Sequence, residues 1–487
     1  KYSPSENVSL IFGENDGLSE SSGVFCNPCI KKSGEIVSPD KVDVRYGETV
    51  INNGDTFKIN DQDVLTFTML SNGDTLGVHS VLFENLNYSI KNIYEFNKGG
   101  DYSVVWANGT RPAERYYWLD KTNSYGMYSQ KDEDNDWEQG ESLSSEGSEV
   151  EWAGTRNLFF ASILVPYSKN LGTKIEHSPD RFSSVESVYK NEYNRPEGPL
   201  LYDTEIVFSE NSKRLEFDTF LGPLDYSVVK DSKIKNLDDI MTLGAWLLRP
   251  ISKFIINTVQ FIHYYVPFAG YGLVLILFAF IVRLISGPLT KRSLQATQKM
   301  QKVQPLIKEI QDKYKSDPKK MQTKIMQTYK ENNVNPLSGC LLMFLQWPIM
   351  IPPFILFRST IELRGESFLW IKDLSQPDYL ISLPFNIPLI GTNEGWTGVG
   401  ILPILMGVTL YLTMKKTMAN MEGQNKIMMY TMNGMFVILF NSFPAGLNLY
   451  YVVYNILNYL QQRTTSAENE SPSFFSKIKG FIQKQKK

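Results

Sequence analysis

Residues 274–290, VLILFAFIVRLISGPLT, set one arginine, Arg283, inside an apolar run of helix length. Extended back to about residue 268, the run is long enough to cross a bilayer. A guanidinium in such a segment is costly and marks a functional site by default. Its usual partner would be a carboxylate on a neighbouring helix. The other apolar stretches, 338–357, 399–414, 427–443 and 445–461, contain no Asp or Glu. Two readings follow. Arg283 snorkels to the nearer surface, or it sits in a hydrated cavity and waits for an acidic group from another molecule. The run ends about eight residues beyond Arg283, roughly 12 Å of helix rise, which is far for one side chain and favours the cavity.

Amides form the second constellation. Asn448, Tyr451, Asn455 and Asn458 follow at spacings of three, four and three, a polar stripe down the last apolar stretch. Asn433 and Asn441 share a face on the stretch before it, and Gln346 lies on the stretch that begins at 338. Such a stripe is either polar glue between packed helices or the lining of the cavity around Arg283. The chemistry on offer is capture of charge, not the making of bonds. The chain has no phosphate-binding glycine loop, no H-E-x-x-H and no G-x-S-x-G, and His79 and His177 stand alone. The expectation is no enzyme, no cofactor and no metal. Cys26 and Cys29 form one C-x-x-C, read either as a local disulfide outside the cytoplasm or as incidental thiols; without a second pair they do not specify zinc.

Charge divides the 487 residues into two parts. Residues 1–240 hold 23 Lys and Arg against 40 Asp and Glu, a net −17, whereas residues 241–487 hold 26 against 12, a net +14. Residues 1–34 read as a flexible segment. Residues 35–240 read as an antiparallel β-sandwich, with short β-branched runs at 42–44, 56–59, 64–70, 80–83, 102–106, 158–165, 200–208 and 215–220. Asn53-Gly54, Asn72-Gly73 and Asn108-Gly109 punctuate them as hairpin turns do. Residues 132–151 form an acidic stretch expected to be a solvated insertion. If this half is exported, its signal is expected ahead of Lys1.

Residues 241–266 read as an amphipathic helix in the membrane interface, with Trp246, Phe254 and Phe261 on its apolar side and Arg249, Lys253 and Gln260 on its polar side. Residues 267–463 are expected to form the membrane core, with spans at about 268–289, 338–357, 399–414, 427–443 and 445–461. Between the first two, residues 291–336 read as a basic pair of helices, the second opened by Asp317-Pro318. The positive-inside rule places this hairpin and the basic tail 464–487 in the cytoplasm, and residues 1–265 outside. The basic hairpin serves either orientation alone or contact with ribosomal RNA or anionic lipid.

The second half resembles the YidC/Oxa family of membrane protein insertases. The carrying residues are FIVRLISGPLT at 280–290, KENNVNPLSGCLLMFLQWP at 330–348, FLWIKDL at 368–374, LPILMG at 402–407 and FPAGLNLYYVVYN at 443–455. The first half is similar to the β-supersandwich periplasmic domain of the Gram-negative branch. The resemblance implies a further transmembrane helix ahead of this domain. It implies an inner-membrane protein that binds nascent membrane proteins in a hydrophilic groove and releases their helices sideways into membrane lipids, alone or beside the Sec translocon. The ribosome is then a partner through the hairpin and tail, and DNA is not. The family's groove arginine falls on Arg283. Its substrate-contacting faces fall around Trp347 and Met350, on Leu439 and Asn441, and on Tyr450 and Tyr451. A hydroxyl residue common one turn before the arginine is here Ala279, so hydration of the groove leans more on the asparagine stripe of Asn448, Asn455 and Asn458.

Two other classes compete. A secondary transporter would need an inverted repeat, and none is visible. A glycan-binding module on a membrane anchor would place its work in residues 1–240.

Overall fold

The computed structural model describes residues 27–51, 58–83, 88–110, 114, 117–131, 136–138, 142–145, 147–177, 200–334, 347, 349–383, 397–417 and 424–470. The chain divides into two units, Lys1–Thr242 with Ser359–Ile361, and Leu243–Arg358 with Glu362–Lys487.

The first unit is two antiparallel sheets. The larger runs in the order Asp136–Glu138, Tyr125–Gln130, Val150–Arg156, Phe160–Pro166, Ser212–Pro223, Ser89–Gly100, Asp74–Leu82, Val64–Ser71, Lys41–Tyr46 and Thr49–Ile51. The smaller runs Leu143–Ser144, Asn170–His177, Tyr202–Phe208, Tyr102–Trp106, Cys29–Lys32 and Glu35–Ile36. One core joins them: Ile30, Val104, Tyr202 and Ile206 from the smaller sheet meet Tyr94, Phe96, Leu164, Leu215 and Phe217 from the larger. A second core lies on the larger sheet, where Trp152, Ile163 and Phe220 pack with Val229, Leu237 and Ile240. Helix α1 is Tyr117–Asn123; helix α2, Tyr226–Asp231, is capped by Asp225, whose carboxylate accepts from the Ser227 amide at 2.9 Å.

Several expectations are corrected here. The sheets begin at Cys29, inside the segment expected to be flexible, because Cys29 and Ile30 are buried against Tyr102–Trp106. Cys29 is disulfide-bonded; the other two cysteines lie outside the described residues. The acidic stretch carries two short strands, Asp136–Glu138 and Leu143–Ser144. Ser89–Gly100, a central strand, escapes detection because its buried positions begin with Asn92, which donates to Thr219 Oγ1 at 3.1 Å. Asn72-Gly73 does turn a hairpin, with φ of 51° and 84°, between Val64–Ser71 and Asp74–Leu82. Asn53-Gly54 and the run 56–59 fall wholly or partly outside the described residues.

The second unit is mainly helical, apart from a two-stranded sheet of Tyr379–Leu383 and Thr397–Gly400: α3 (Arg249–Tyr265), α4 (Tyr271–Lys313), α5 (Pro318–Glu331), α6 (Ile401–Thr417), α7 (Gln424–Phe440) and α8 (Ala445–Glu470), with residues 349–356 helical as well. Asp317 caps α5 by accepting from the Lys320 amide at 3.1 Å. Among the described residues, Tyr271–Lys291 is the one stretch of helix long and apolar enough to cross a membrane; Ile401–Lys415 and Tyr430–Phe440 are apolar and shorter. No break separates this stretch from the basic residues that follow, because α4 runs on through Pro288 and Pro305.

In α3 the buried face is Ser252, Ile255, Ile256, Val259 and Ile262. Phe254 and Phe261 lie off that face and are exposed, as is Trp246 before the helix. The helix therefore has two apolar sides, one packed within the unit and one bare.

Candidate functional site

One face of α4 changes character along its length. Leu275, Ala279, Arg283, Ser286 and Thr290 recur every three or four residues and are all buried. The apolar end packs Phe278 against Tyr450 and Phe357, with ring centroids 5.7 and 6.0 Å apart. The polar end faces the later turns of α8. The opposite side of α4 is bare, with Phe280, Leu284, Ile285 and Leu289 exposed.

Arg283 is buried, and its described partners are neutral. It donates from Nη1 to the Tyr454 hydroxyl at 3.5 Å and from Nη2 to Asn458 Oδ1 at 3.0 Å and to Gln461 Oε1. Its guanidinium carbon lies 5.6 Å from the centre of the Tyr454 ring, a cation–π distance. Its Nε and the Ser286 hydroxyl have no hydrogen-bond partner among the described residues. Buried polar atoms in that condition call for water or a ligand. Among the described residues, no partner of Arg283 neutralises its charge.

Tyr454, Asn458 and Gln461 follow at spacings of four and three and present one face. The amide stripe read from sequence, anchored on Asn448 and Tyr451, captured Asn458 and missed the other two. Gln461 stands at the end of the apolar stretch and Tyr454 among other tyrosines, so neither stood out.

The remaining expected residues are scattered by the fold. Asn448 donates to the carbonyls of Phe440 and Phe443 at 3.0 and 3.3 Å, closing the turn between α7 and α8. Asn441 donates to Gly398 O at 2.7 Å and accepts from Gly400 N at 2.9 Å, fixing the entry to α6. Asn433 donates to Gly407 O at 3.1 Å, where a Cβ on Gly407 would meet Val437 at 2.3 Å; a glycine there lets α6 and α7 approach closely. Tyr450 and Tyr451 are buried, and their hydroxyls donate to the carbonyls of Ile349 and Met350 at 3.3 and 2.6 Å. They tie α8 to the 349–356 helix and present no open face. Asn455 is buried, Met350 is half-buried, and Trp347 and Leu439 are exposed. Gln346 lies outside the described residues.

Together these features define a class: an all-β unit followed by a helical unit that carries a membrane-length helix with a buried arginine whose described partners are neutral. Residues 261–471 match the family described as 60Kd inner membrane protein. A protein of Pelodictyon phaeoclathratiforme named membrane protein insertase YidC is 36% identical over 405 residues, 80% of this chain and 66% of its own length. A protein of Chloroherpeton thalassium with the same name is 35% identical over 393 residues, 77% of this chain and 63% of its own. A crystal structure of an active YidC insertase with its first transmembrane domain resolved aligns at 20% identity and a TM-score of 0.36, covering 91% of this chain and 83% of that one. The chain belongs to the YidC/Oxa family of membrane protein insertases, a family of inner membrane proteins. It spans slightly less than two thirds of the length of these two curated relatives.

Proposed function

We propose that this protein inserts membrane proteins: it binds nascent chains at the polar site around Arg283 and releases their helices sideways into the inner membrane, alone or with the Sec translocon. The observation that carries the reading is the buried guanidinium whose described partners, Tyr454, Asn458 and Gln461, are all neutral. A polar substrate segment cannot cross hydrocarbon unaided. A positive charge held in a polar pocket attracts the acidic residues of such a segment and exchanges hydrogen bonds to neutral acceptors for an ion pair with a carboxylate. Phe280, Leu284, Ile285 and Leu289 on the bare side of α4 then meet lipid or the departing substrate helix.

In this reading the helical unit makes five spans, α4 and α5 extend into the cytoplasm as a basic hairpin that receives substrates and touches the ribosome, and the β unit lies in the periplasm. Exposed Trp347 and Leu439 supply substrate contacts at the surface. Buried Tyr450 and Tyr451 hold the helices that frame the site. The bare aromatic side of α3, with Trp246, Phe254 and Phe261, rests in the interface.

The test is site-specific photocrosslinking to stalled nascent membrane proteins. Probes at Trp347 and Leu439 should capture the nascent chain, and a probe at exposed Lys213 in the β unit should not. Equal capture from all three positions would remove the reading.

A further inference from the structure

Residues 366–378 form a fixed cap over the N-terminal ends of three helices. A Cβ on Gly272, at the start of α4, would lie 2.2 Å from the Phe368 ring, so that ring is seated directly on the helix. The Gly446 amide at the start of α8 donates to Leu374 O at 2.8 Å, and the Leu402 amide at the start of α6 donates to Asp378 Oδ2 at 2.8 Å. Asp378 also accepts a hydrogen bond from the Trp370 side chain. Within the cap, Phe368 and Ile371 exchange two backbone hydrogen bonds of 2.9 Å, which closes a tight turn with Leu369 and Trp370 at its tip.

The tip is unusual in two ways. Leu369 has φ of 53°, a conformation that a branched side chain adopts only under constraint. Leu369 and Trp370 are also 76% and 45% exposed, although Phe368 and Ile371 beside them are packed. The structure holds two large apolar side chains outward at a backbone cost that a glycine would relieve. Exposed large apolar residues on a rigid turn indicate a surface that something covers.

The position of the turn says what covers it. Phe368 fixes it to the first residues of Tyr271–Lys291, the membrane-length helix. Tyr264, Tyr265 and Phe268, just ahead of that helix, are exposed too. Aromatic side chains gather where a membrane helix meets the headgroups. We propose that the Leu369–Trp370 turn is a membrane-interface anchor, inserted among the headgroups and upper acyl chains of the leaflet at the N-terminal end of α4. There the apolar tip is covered by lipid and the Trp370 side chain keeps its bond to Asp378. The anchor thereby sets the depth of the starts of α4, α6 and α8 together, because the same cap bonds to all three.

The test uses the full chain carrying Cys340→Ala, reconstituted in vesicles of phosphatidylethanolamine and phosphatidylglycerol. A nitroxide is attached at Leu369→Cys, at Trp370→Cys or, as an aqueous reference, at Lys213→Cys, and a sample without an added cysteine supplies the background. Collision with oxygen, which concentrates in lipid, is compared with collision with a water-soluble nickel chelate. The expected result is an oxygen-to-nickel ratio at 369 severalfold above that at 213, independent of the protein-to-lipid ratio. If the Leu369→Cys chain does not fold, the label at 370 gives the same reading. Nickel access at 369 and 370 equal to that at 213 overturns the proposal. Shielding that develops only as the protein-to-lipid ratio rises overturns it as well, because the cover would then be a second copy of the chain.

Discussion

The side chain of Gln461 bridges two groups one turn apart on α4: its oxygen accepts from Arg283 and its nitrogen donates to the Gly287 carbonyl at 2.8 Å. The bridge orients the guanidinium and leaves its charge intact. Gln461→Glu would replace the neutral acceptor with a carboxylate and neutralise the site from within. Substrates with acidic polar tails should then insert severalfold more slowly, while neutral-tailed substrates insert normally. The change in stability should stay within about 1 kcal/mol, since the new ion pair offsets the lost bond to Gly287. Protease protection of the two substrate types in vesicles measures both arms. Equal slowing of both would mean that Gln461 acts only on structure.

Arg283 itself should matter by charge more than by shape. Arg283→Lys retains the cation and one or two of the bonds to Tyr454, Asn458 and Gln461. Arg283→Ala removes the charge and leaves these groups without it. Insertion of acidic-tailed substrates should survive the first change in large part and fail with the second. The same vesicle assay decides. An alanine variant with full activity would show that the guanidinium is not used for capture.

The β unit carries a built-in acid sensitivity. His79 lies between Phe67 and Tyr94, with ring centroids at 5.4 and 3.9 Å, and pairs with Asn92 at 3.0 Å. Burial pushes its pKa from 6.5 down to about 4. Between those values the unfolded chain binds a proton that the folded chain refuses, so stability falls as pH falls. The loss between pH 7 and pH 4 should be about 3 kcal/mol from this group alone. His79→Phe should flatten that part of the profile. Urea unfolding of the β unit within the full chain, followed at pH 7 and pH 4, measures the difference.

The sequence announces features that depend on local pattern or on a single costly residue. Arg283 is legible because a charge in an apolar run has no ordinary explanation, and the strand Tyr102–Trp106 because β-branched and aromatic residues cluster there. Partners set by tertiary packing are not legible. Tyr454 and Gln461 become site residues only once α8 lies along α4. Asn441, Asn448, Tyr450 and Tyr451 look like a polar lining in sequence, yet each bonds to a backbone carbonyl elsewhere in the helical unit. The amphipathic pattern of α3 fixes a helix without saying which of its two apolar sides is packed. Periodicity cannot separate Ile255 and Ile262, which are buried, from Phe254 and Phe261, which are bare.

The division between the two units bears directly on which part would carry the proposed insertion. Composition suggests removing residues 35–210 to test the β domain, and the structure shows why that cut fails. It would leave Ser212–Pro223, which pairs with both Phe160–Pro166 and Ser89–Gly100, and would strand Phe217 and Phe220 without a core. The unit also reaches further along the chain than its last strand. Buried Arg156 donates to Ile240 O at 2.6 Å and to Thr242 Oγ1 at 3.1 Å, binding the segment up to Thr242 to the sheet. The better cut therefore lies between Thr242 and Leu243, which leaves only Ser359–Ile361 of the first unit behind. A chain that begins at Leu243 should insert a short single-span substrate into vesicles at close to the full-length rate. Within that chain, replacing Trp246, Phe254 and Phe261 together by Ser should slow insertion severalfold, because the bare side of α3 loses its hold on the interface. Deletion of residues 35–210 should instead give an aggregating protein. Should the chain from Leu243 keep its helical circular dichroism and yet insert nothing, the β unit takes part in insertion and the helical unit does not suffice.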